Sequence, residues 1–239
     1  MIKDIEDFYK KTKLHVENKG PVSANSEQPI THTHVFYKSY PRFPSIKLPE
    51  TSLLELDKLL ETRESFRNFS NKPLSIEQVA SIILSCRIVD KNRVPERRTY
   101  PSGGARFPIE IYLISFNIDG LQKGAYHYNM AERSLEILLE TDLRHFENEI
   151  VSDYLRNTSA AIVLTSVLAR SEVKYGVKAY PYSLLEAGHM AQNILLACTE
   201  LGIGCCPVGG FLNDKISEIL DLTPHEIPIY AIGIGKKKG

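Results

Sequence analysis

Five stretches of the chain are saturated with β-branched and aromatic residues and end on turn formers: Ile109 to Phe116, Ala125 to Tyr128, Leu135 to Leu139, Ala160 to Val167 and Ile229 to Gly235. Each is short enough for a strand, and they read as a central hairpin pair with two flanking runs. Helical spacing is predicted at Ser52 to Glu61, Ser75 to Cys86, Asp142 to Leu155, Tyr182 to Leu201 and Asp214 to Leu220. Ser75 followed three residues later by Gln78 makes a capping box ahead of Val79, Ile82 and Ile83. The Tyr182 to Leu201 segment leaves only Glu186, His189, Gln192 and Asn193 as a polar stripe, which predicts a helix buried nearly all round. Residues 1–50 read differently. A short amphipathic helix with Ile5, Phe8 and Tyr9 leads into an extended arm from Gly20 to Glu50, whose Tyr37, Tyr40, Phe43 and Ile46 predict docking through apolar anchors. Residues 51–239 form a mixed α and β unit without repeats.

Composition narrows the function classes. In a chain of 239 residues, 29 Lys and Arg balance 29 Asp and Glu, so no summed field recruits nucleic acid or an anionic membrane. The first twenty residues are charged throughout and lack a signal-peptide core, and no apolar run reaches bilayer length, which predicts a cytoplasmic protein. Cys86, Cys198, Cys205 and Cys206 show no zinc-type spacing and sit among apolar residues, so buried free thiols are expected.

The glycine-rich stretches do not read as dinucleotide sites. In GIGCCPVGG the third required glycine is Pro207, GIGKKKG has no helix after it, and no P-loop pattern occurs. Glu186 and His189 have the Glu-x-x-His spacing of a metal ligand pair, but no second copy exists, so a polar stripe is the preferred reading and no metal is expected. In TRESFRNFS, the alternation of Arg63, Ser65 and Arg67 lets two guanidinium groups and a hydroxyl converge on one dianion in an extended segment. Pro101, Ser102, Gly103 and Gly104, and again Pro207, Val208, Gly209 and Gly210, offer surfaces low enough in bulk for a flat ligand to lie against the backbone. Together these describe a site for a flat ring with a monophosphate tail.

The order Arg-x-Ser-x-Arg, Pro-Ser-Gly-Gly-Ala-x-x-Pro, Ala-Gly-His-x-Ala-Gln-Asn-x-Leu-Leu and Leu-Gly-Ile-Gly-x-x-Pro-Val-Gly-Gly-Phe resembles the FMN-dependent nitroreductase superfamily, from Leu53 to Lys236. The segments YKSYPRFPSIKLP, PSGGARFPIEIYL, GAYHYN and VKYGVKAYPYSLLEAGHMAQN are most similar to its SagB-type branch, whose members oxidise azolines to azoles in ribosomal peptides. The resemblance implies an α+β nitroreductase-like fold, with a central mixed or antiparallel sheet flanked by helices. It also implies a domain-swapped type of homodimer with FMN at the interface. Arg63, Ser65 and Arg67 would hold the FMN phosphate and ribityl chain, with Lys236 adding phosphate contact. Pro101 to Gly104 would border the flavin across the dimer interface, and Pro207 to Gly210 would face its reactive edge.

Lys174 and Tyr175 match the Lys-Tyr pair of that branch and would be the catalytic residues, since aromatising an azoline removes a proton as well as a hydride. Gly104 and Ala105 stand where many nitroreductases carry Asn, Ser or Thr. The activity implied is an FMN-dependent dehydrogenase acting on a peptide or small molecule, alone or beside a cyclodehydratase. Two alternatives stay open: an NAD(P)H-dependent nitroreductase or quinone reductase, and a flavin-free binding subunit of a peptide-modifying complex.

Overall fold

The computed structural model describes residues 2–13, 37–52, 54–152 and 155–239. Its centre is a six-stranded sheet in the order β7-β6-β4-β8-β10-β9, with every neighbouring pair antiparallel. These strands are β4 (Ile109–Ser115), β6 (Gly124–Asn129), β7 (Ser134–Leu139), β8 (Ala160–Val167), β9 (Gly204–Val208) and β10 (Glu226–Gly235). Both faces of β4 and β8 are covered, which is why they read as unbroken apolar runs. Pairings such as Leu113 with Ile162 and Ala161 with Gly233 fix their register. Small two-stranded pieces join β1 (Leu74–Ser75) to β5 (Ile118–Asp119) and β2 (Ile88–Asp90) to β3 (Arg97–Arg98).

Two apolar layers lie on opposite faces of the sheet. Leu113, Ile162 and Ile232 pack against α3 (Ile76–Ile83) and α6 (Ala179–Glu200), while Ile114, Val163 and Ala231 pack with residues of α4 (Glu147–Ile150) and α7 (Asn213–Ile219). The capping box at α3 forms as expected: Gln78 N–H donates to Ser75 Oγ at 3.3 Å, and Ser75 N–H to Gln78 Oε1 at 3.1 Å. The remaining helices are α1 (Ile2–Thr12), α2 (Glu55–Thr62) and α5 (Ala169–Tyr175).

Several expectations need correction. The helix expected over Asp142 to Leu155 contracts to a 3-10 turn at Arg144–Phe146 and the single turn of α4, residues 153–154 lying outside the described set. On α6, Glu186 is buried, while Leu184 and Leu185 are exposed with Gly188, His189 and Gln192, so the open face is partly apolar and Glu186 and His189 point apart. Much of the arm expected from Gly20 lies outside the described residues. In its described part, the expected anchors do not dock on their own chain: Tyr37 is 89% exposed and Ile46 93%, with Tyr40 and Phe43 also exposed. No described helix is long and apolar enough to cross a membrane.

Candidate functional site

The sheet edge gathers one set of candidate residues. After α2 the chain runs extended past β9, and Phe66 N–H donates to Cys205 O at 2.8 Å. Phe66 and Phe69 seat on Gly204, where an added Cβ would come within 2.7 Å of the Phe66 ring. Arg63, Ser65 and Arg67 alternate with Phe66 along this ribbon, with Arg63 beside Cys205. Arg67 donates to Ser65 O at 3.2 Å and interacts with Cys206. Pro207 and Val208 complete β9, and Gly209 and Gly210 follow it as exposed backbone, with open space where a Gly209 side chain would point. Over a five-residue strand the row and the turn stand roughly 15 Å apart.

Lys236 is turned away from this row and donates to Gln78 Oε1 at 2.9 Å. Its neighbour Lys237 stands against the Phe66 side of the ribbon, paired with Glu64 at 3.0 Å and 5.0 Å from the Phe66 ring centroid. The signal that finds Lys237 is strand parity: it neighbours Gly204, against which its side chain packs.

A second set meets at the N-terminal end of α6. Pro101 to Gly104 leads into a tight turn in which Gly104, Ala105 and Phe107 have φ of 59°, 53° and 47°. Such backbone persists only when its surroundings fix it. Lys174 and Tyr175 supply part of that surrounding, since a Cβ on Gly104 would lie 2.2 Å from the Tyr175 hydroxyl and 2.8 Å from Lys174 Nζ. Both polar groups therefore meet over the same bare backbone carbon. The Tyr175 ring stacks edge-on against Tyr182 at 5.0 Å, and Gly103 packs on Tyr182. The pair closes α5, a helix that sequence periodicity did not indicate.

Arg170 ties α5 to the turn. Its guanidinium donates to Phe107 O at 3.1 Å and pairs with Glu110, while Arg106 Nε donates to Arg170 O at 2.7 Å. Glu110 in turn faces His127 Nε2 at 3.1 Å, and His127 Nδ1 faces Glu136 at 2.8 Å. The hydrogen bond to Glu110 raises the His127 pKa, with Glu136 adding to it and burial opposing.

Within one chain the two sets lie apart. The Arg63 row runs beside Cys205, which touches Leu195 O, whereas the turn packs on Tyr182, thirteen residues and roughly 20 Å earlier on α6. The donor chemistry at the sheet edge fits a flavin mononucleotide: two guanidinium groups and a hydroxyl along one short ribbon suit a phosphate, and the open Gly209–Gly210 backbone leaves a planar ring room to approach.

Comparison with known proteins agrees with this architecture. The nitroreductase family pattern matches residues 60–236. The Methanocaldococcus jannaschii protein MJ1384, which carries a nitroreductase name, is 30% identical over 197 residues, covering 80% of this chain and 96% of its own. The microcin B17-processing protein McbC of Escherichia coli is 28% identical over 169 residues; the match covers 67% of this chain but only 61% of McbC. A chain from the solved E. coli microcin synthetase McbBCD complex with truncated pro-MccB17 bound shares the fold, with a TM-score of 0.80 over 99% of this chain and 93% of that one, at 22% identity. On the extent of the family match and the shared α+β sheet architecture, this chain belongs to the nitroreductase family.

Proposed function

We propose that the protein is an FMN-dependent dehydrogenase of SagB type that oxidises azoline rings to azoles in a ribosomal peptide. The observation that carries this reading is the meeting of Lys174 Nζ and the Tyr175 hydroxyl over Gly104. Bound FMN supplies the hydride acceptor. Arg63, Ser65 and Arg67 hold its phosphate and ribityl chain, the Pro207 to Gly210 turn borders its ring, and Lys236 stands further off against α3. Lys174, as its unprotonated amine, takes the proton that the azoline carbon gives up, with the Tyr175 hydroxyl beside it, and Pro101 to Gly104 borders the flavin across the dimer interface.

The same reading makes the working unit a homodimer. Two half-sites roughly 20 Å apart along α6 are joined if a second copy brings its turn to the first copy's sheet edge. The exposed Leu184 and Leu185 on α6 and the undocked apolar arm are the surfaces such a partner covers. The similarity to McbC, named for processing microcin B17, and to a chain of the McbBCD complex supports a peptide substrate and work in a complex; a cyclodehydratase beside it and a cytoplasmic setting belong to the same proposal.

A second reading is an NAD(P)H-dependent reductase of nitroaromatics or quinones, favoured by the open backbone at Gly209, which admits a nicotinamide as readily as a peptide ring. Purified protein assayed with an azoline peptide and with a nitroaromatic plus NAD(P)H separates the two. Lys174→Ala and Tyr175→Phe are expected to keep FMN and lose azoline oxidation by about a hundredfold to ten-thousandfold, with nitroaromatic reduction much less affected. Azoline oxidation unchanged in both variants overturns their role. Wild type active only on the nitroaromatic selects the second reading, and protein that binds no flavin selects a binding subunit.

A further inference from the structure

Segment 99–103 lies lengthwise along one stripe of α6. Asn193 Nδ2 donates to Thr99 O at 3.2 Å, and Tyr182 packs on Gly103. Glu186 lies on the same stripe between them, since 182, 186 and 193 recur on one helix face. It is 2% exposed, and neither carboxylate oxygen has a partner in full hydrogen-bonding geometry. A buried carboxylate left in that condition is costly and needs an explanation. The Ser102 hydroxyl and the Ile109 N–H favour its anion without completing a hydrogen bond to it.

Ser102 has its own part in the turn. Its Oγ accepts from Phe107 N–H at 2.9 Å, which closes the left-handed stretch between them. A serine hydroxyl carries one donor and two acceptor positions, so with one acceptor position spent on Phe107, one donor and one acceptor position remain. Ser102 also lines a cleft of about 400 Å³ together with Pro101, Arg93, Arg97, Arg98 and Glu96, the last two paired with each other.

We propose that Glu186 is a positioning residue that sets, through its own protonation, whether Ser102 offers a ligand in this cleft a hydrogen-bond donor or an acceptor. The ionised carboxylate accepts the Ser102 O–H and leaves an oxygen lone pair toward the cleft. The neutral carboxylic acid donates to Ser102 Oγ and turns the O–H outward. Burial lifts the Glu186 pKa to about 7, against smaller opposing effects of Ser102, Arg98, Ile109 N–H and Arg170, so the exchange falls near neutrality. Tyr100 is the other titratable group facing it, and burial raises that phenol further, out of this range. Arg98 is taken up by Glu96, which leaves the exposed Arg93 and Arg97 as donors, so an acceptor-rich ligand belongs there, and the protonated state of Glu186 is the one that adds a further donor.

Direction toward FMN rests on the proposed function; the coupling of Glu186 to Ser102 does not. Difference infrared spectra between wild type and Glu186→Gln, recorded through a titration around pH 7, report the protonated carboxyl directly and need no flavin. Ser102→Ala removes a donor to the anion and is expected to move the Glu186 midpoint upward by about one pH unit. FMN affinity, read from the quenching of flavin fluorescence, is then compared as a ratio to wild type, so that the titration of the FMN phosphate itself cancels. Wild type is expected to gain about fivefold relative to both variants as pH falls through the midpoint. An unmoved midpoint in Ser102→Ala overturns the proposal, as does a pH response of FMN binding retained in Glu186→Gln. Protein that binds no FMN at any pH defeats the proposed function instead, while the infrared midpoint still decides the coupling.

Discussion

The ribbon from Arg63 to Arg67 and the turn from Ser102 to Phe107 reach their shapes by different means. The ribbon region is held by main-chain hydrogen bonds, Phe66 to Cys205 at 2.8 Å, Ser70 to Lys236 and Lys238 to Asn68 both at 2.9 Å, and it stays in ordinary extended geometry. The turn contains three residues at positive φ and adds, to the main-chain bonds of Ala105 to Ser102 O and Arg106 to Gly103 O, a set of side-chain supports: Ser102 on Phe107, Arg170 on Phe107 O, and Tyr175 with Lys174 over Gly104. Beyond the Phe66 and Phe69 seat on Gly204 the ribbon depends little on side chains, whereas the turn is conditional on several polar ones. Changes at the ribbon should alter only what it grips, and changes at the turn should alter chemistry and pH response.

The largest expected effect breaks the turn. Gly104→Val puts a branched side chain at φ 59° and into the volume of the Tyr175 hydroxyl, so either the turn or the Lys174–Tyr175 pair must move. Azoline oxidation should fall by about a hundredfold to ten-thousandfold, the range set by loss of a general base. Circular dichroism should show a folded chain and absorbance a flavin still bound at saturating FMN, because the ribbon that grips the phosphate is untouched. Wild-type turnover in this variant would mean that the approach over Gly104 carries no chemistry.

The contrast also explains what could be read from the chain before its fold was known. Strands β4, β6, β7, β8 and β10 announce themselves because β-branched and aromatic residues saturate them. Strand β9 does not, since Gly204, Cys205, Cys206 and Pro207 are poor strand formers; pairing with β10 makes it a strand, and Pro207 is tolerated because β9 is an edge. The row of Arg63, Ser65 and Arg67 was legible as a period of two. Helix α5 was not, being short and without a clear apolar face, and its Lys174 and Tyr175 came to notice only through family resemblance. Glu186 was hidden by the ordinary rule that charge faces water, which on α6 assigned the exposed face to it and the buried one to Leu184 and Leu185.

A smaller effect sharpens the ribbon side. Each charge-assisted hydrogen bond to phosphate contributes about 1.5–3 kcal/mol, so Arg63→Ala with Arg67→Ala should weaken FMN binding on the order of a hundredfold. Because the turn and its pair stay in place, excess FMN should restore azoline oxidation. The Gly104→Val variant should gain nothing from the same addition. Titration of both variants with FMN, followed by turnover at saturation, tests this; failure of excess FMN to rescue the arginine variant would show that the ribbon does more than hold the phosphate.

The smallest effect concerns the charged chain behind the turn. Protonated His127 donates one N–H to Glu110 and the other to Glu136, and Glu110 holds Arg170, which holds Phe107 O. Neutral His127 has one N–H, so one of the two carboxylates then faces a lone pair. Its folded pKa is raised, chiefly by Glu110, so the stabilisation is fully present below the unfolded value of about 6.5 and is lost as pH rises through the folded one. Both partners keep some access to solvent, which limits the gain to roughly 1 kcal/mol. His127→Gln should therefore lower Tm relative to wild type in mild acid and leave a smaller gap in mild alkali. FMN affinity should not follow this gap, because the ribbon owes nothing to His127. A Tm gap that is constant with pH would show that His127 acts through packing against Tyr112, whose ring lies 5.1 Å away, and would remove it from the support of the turn.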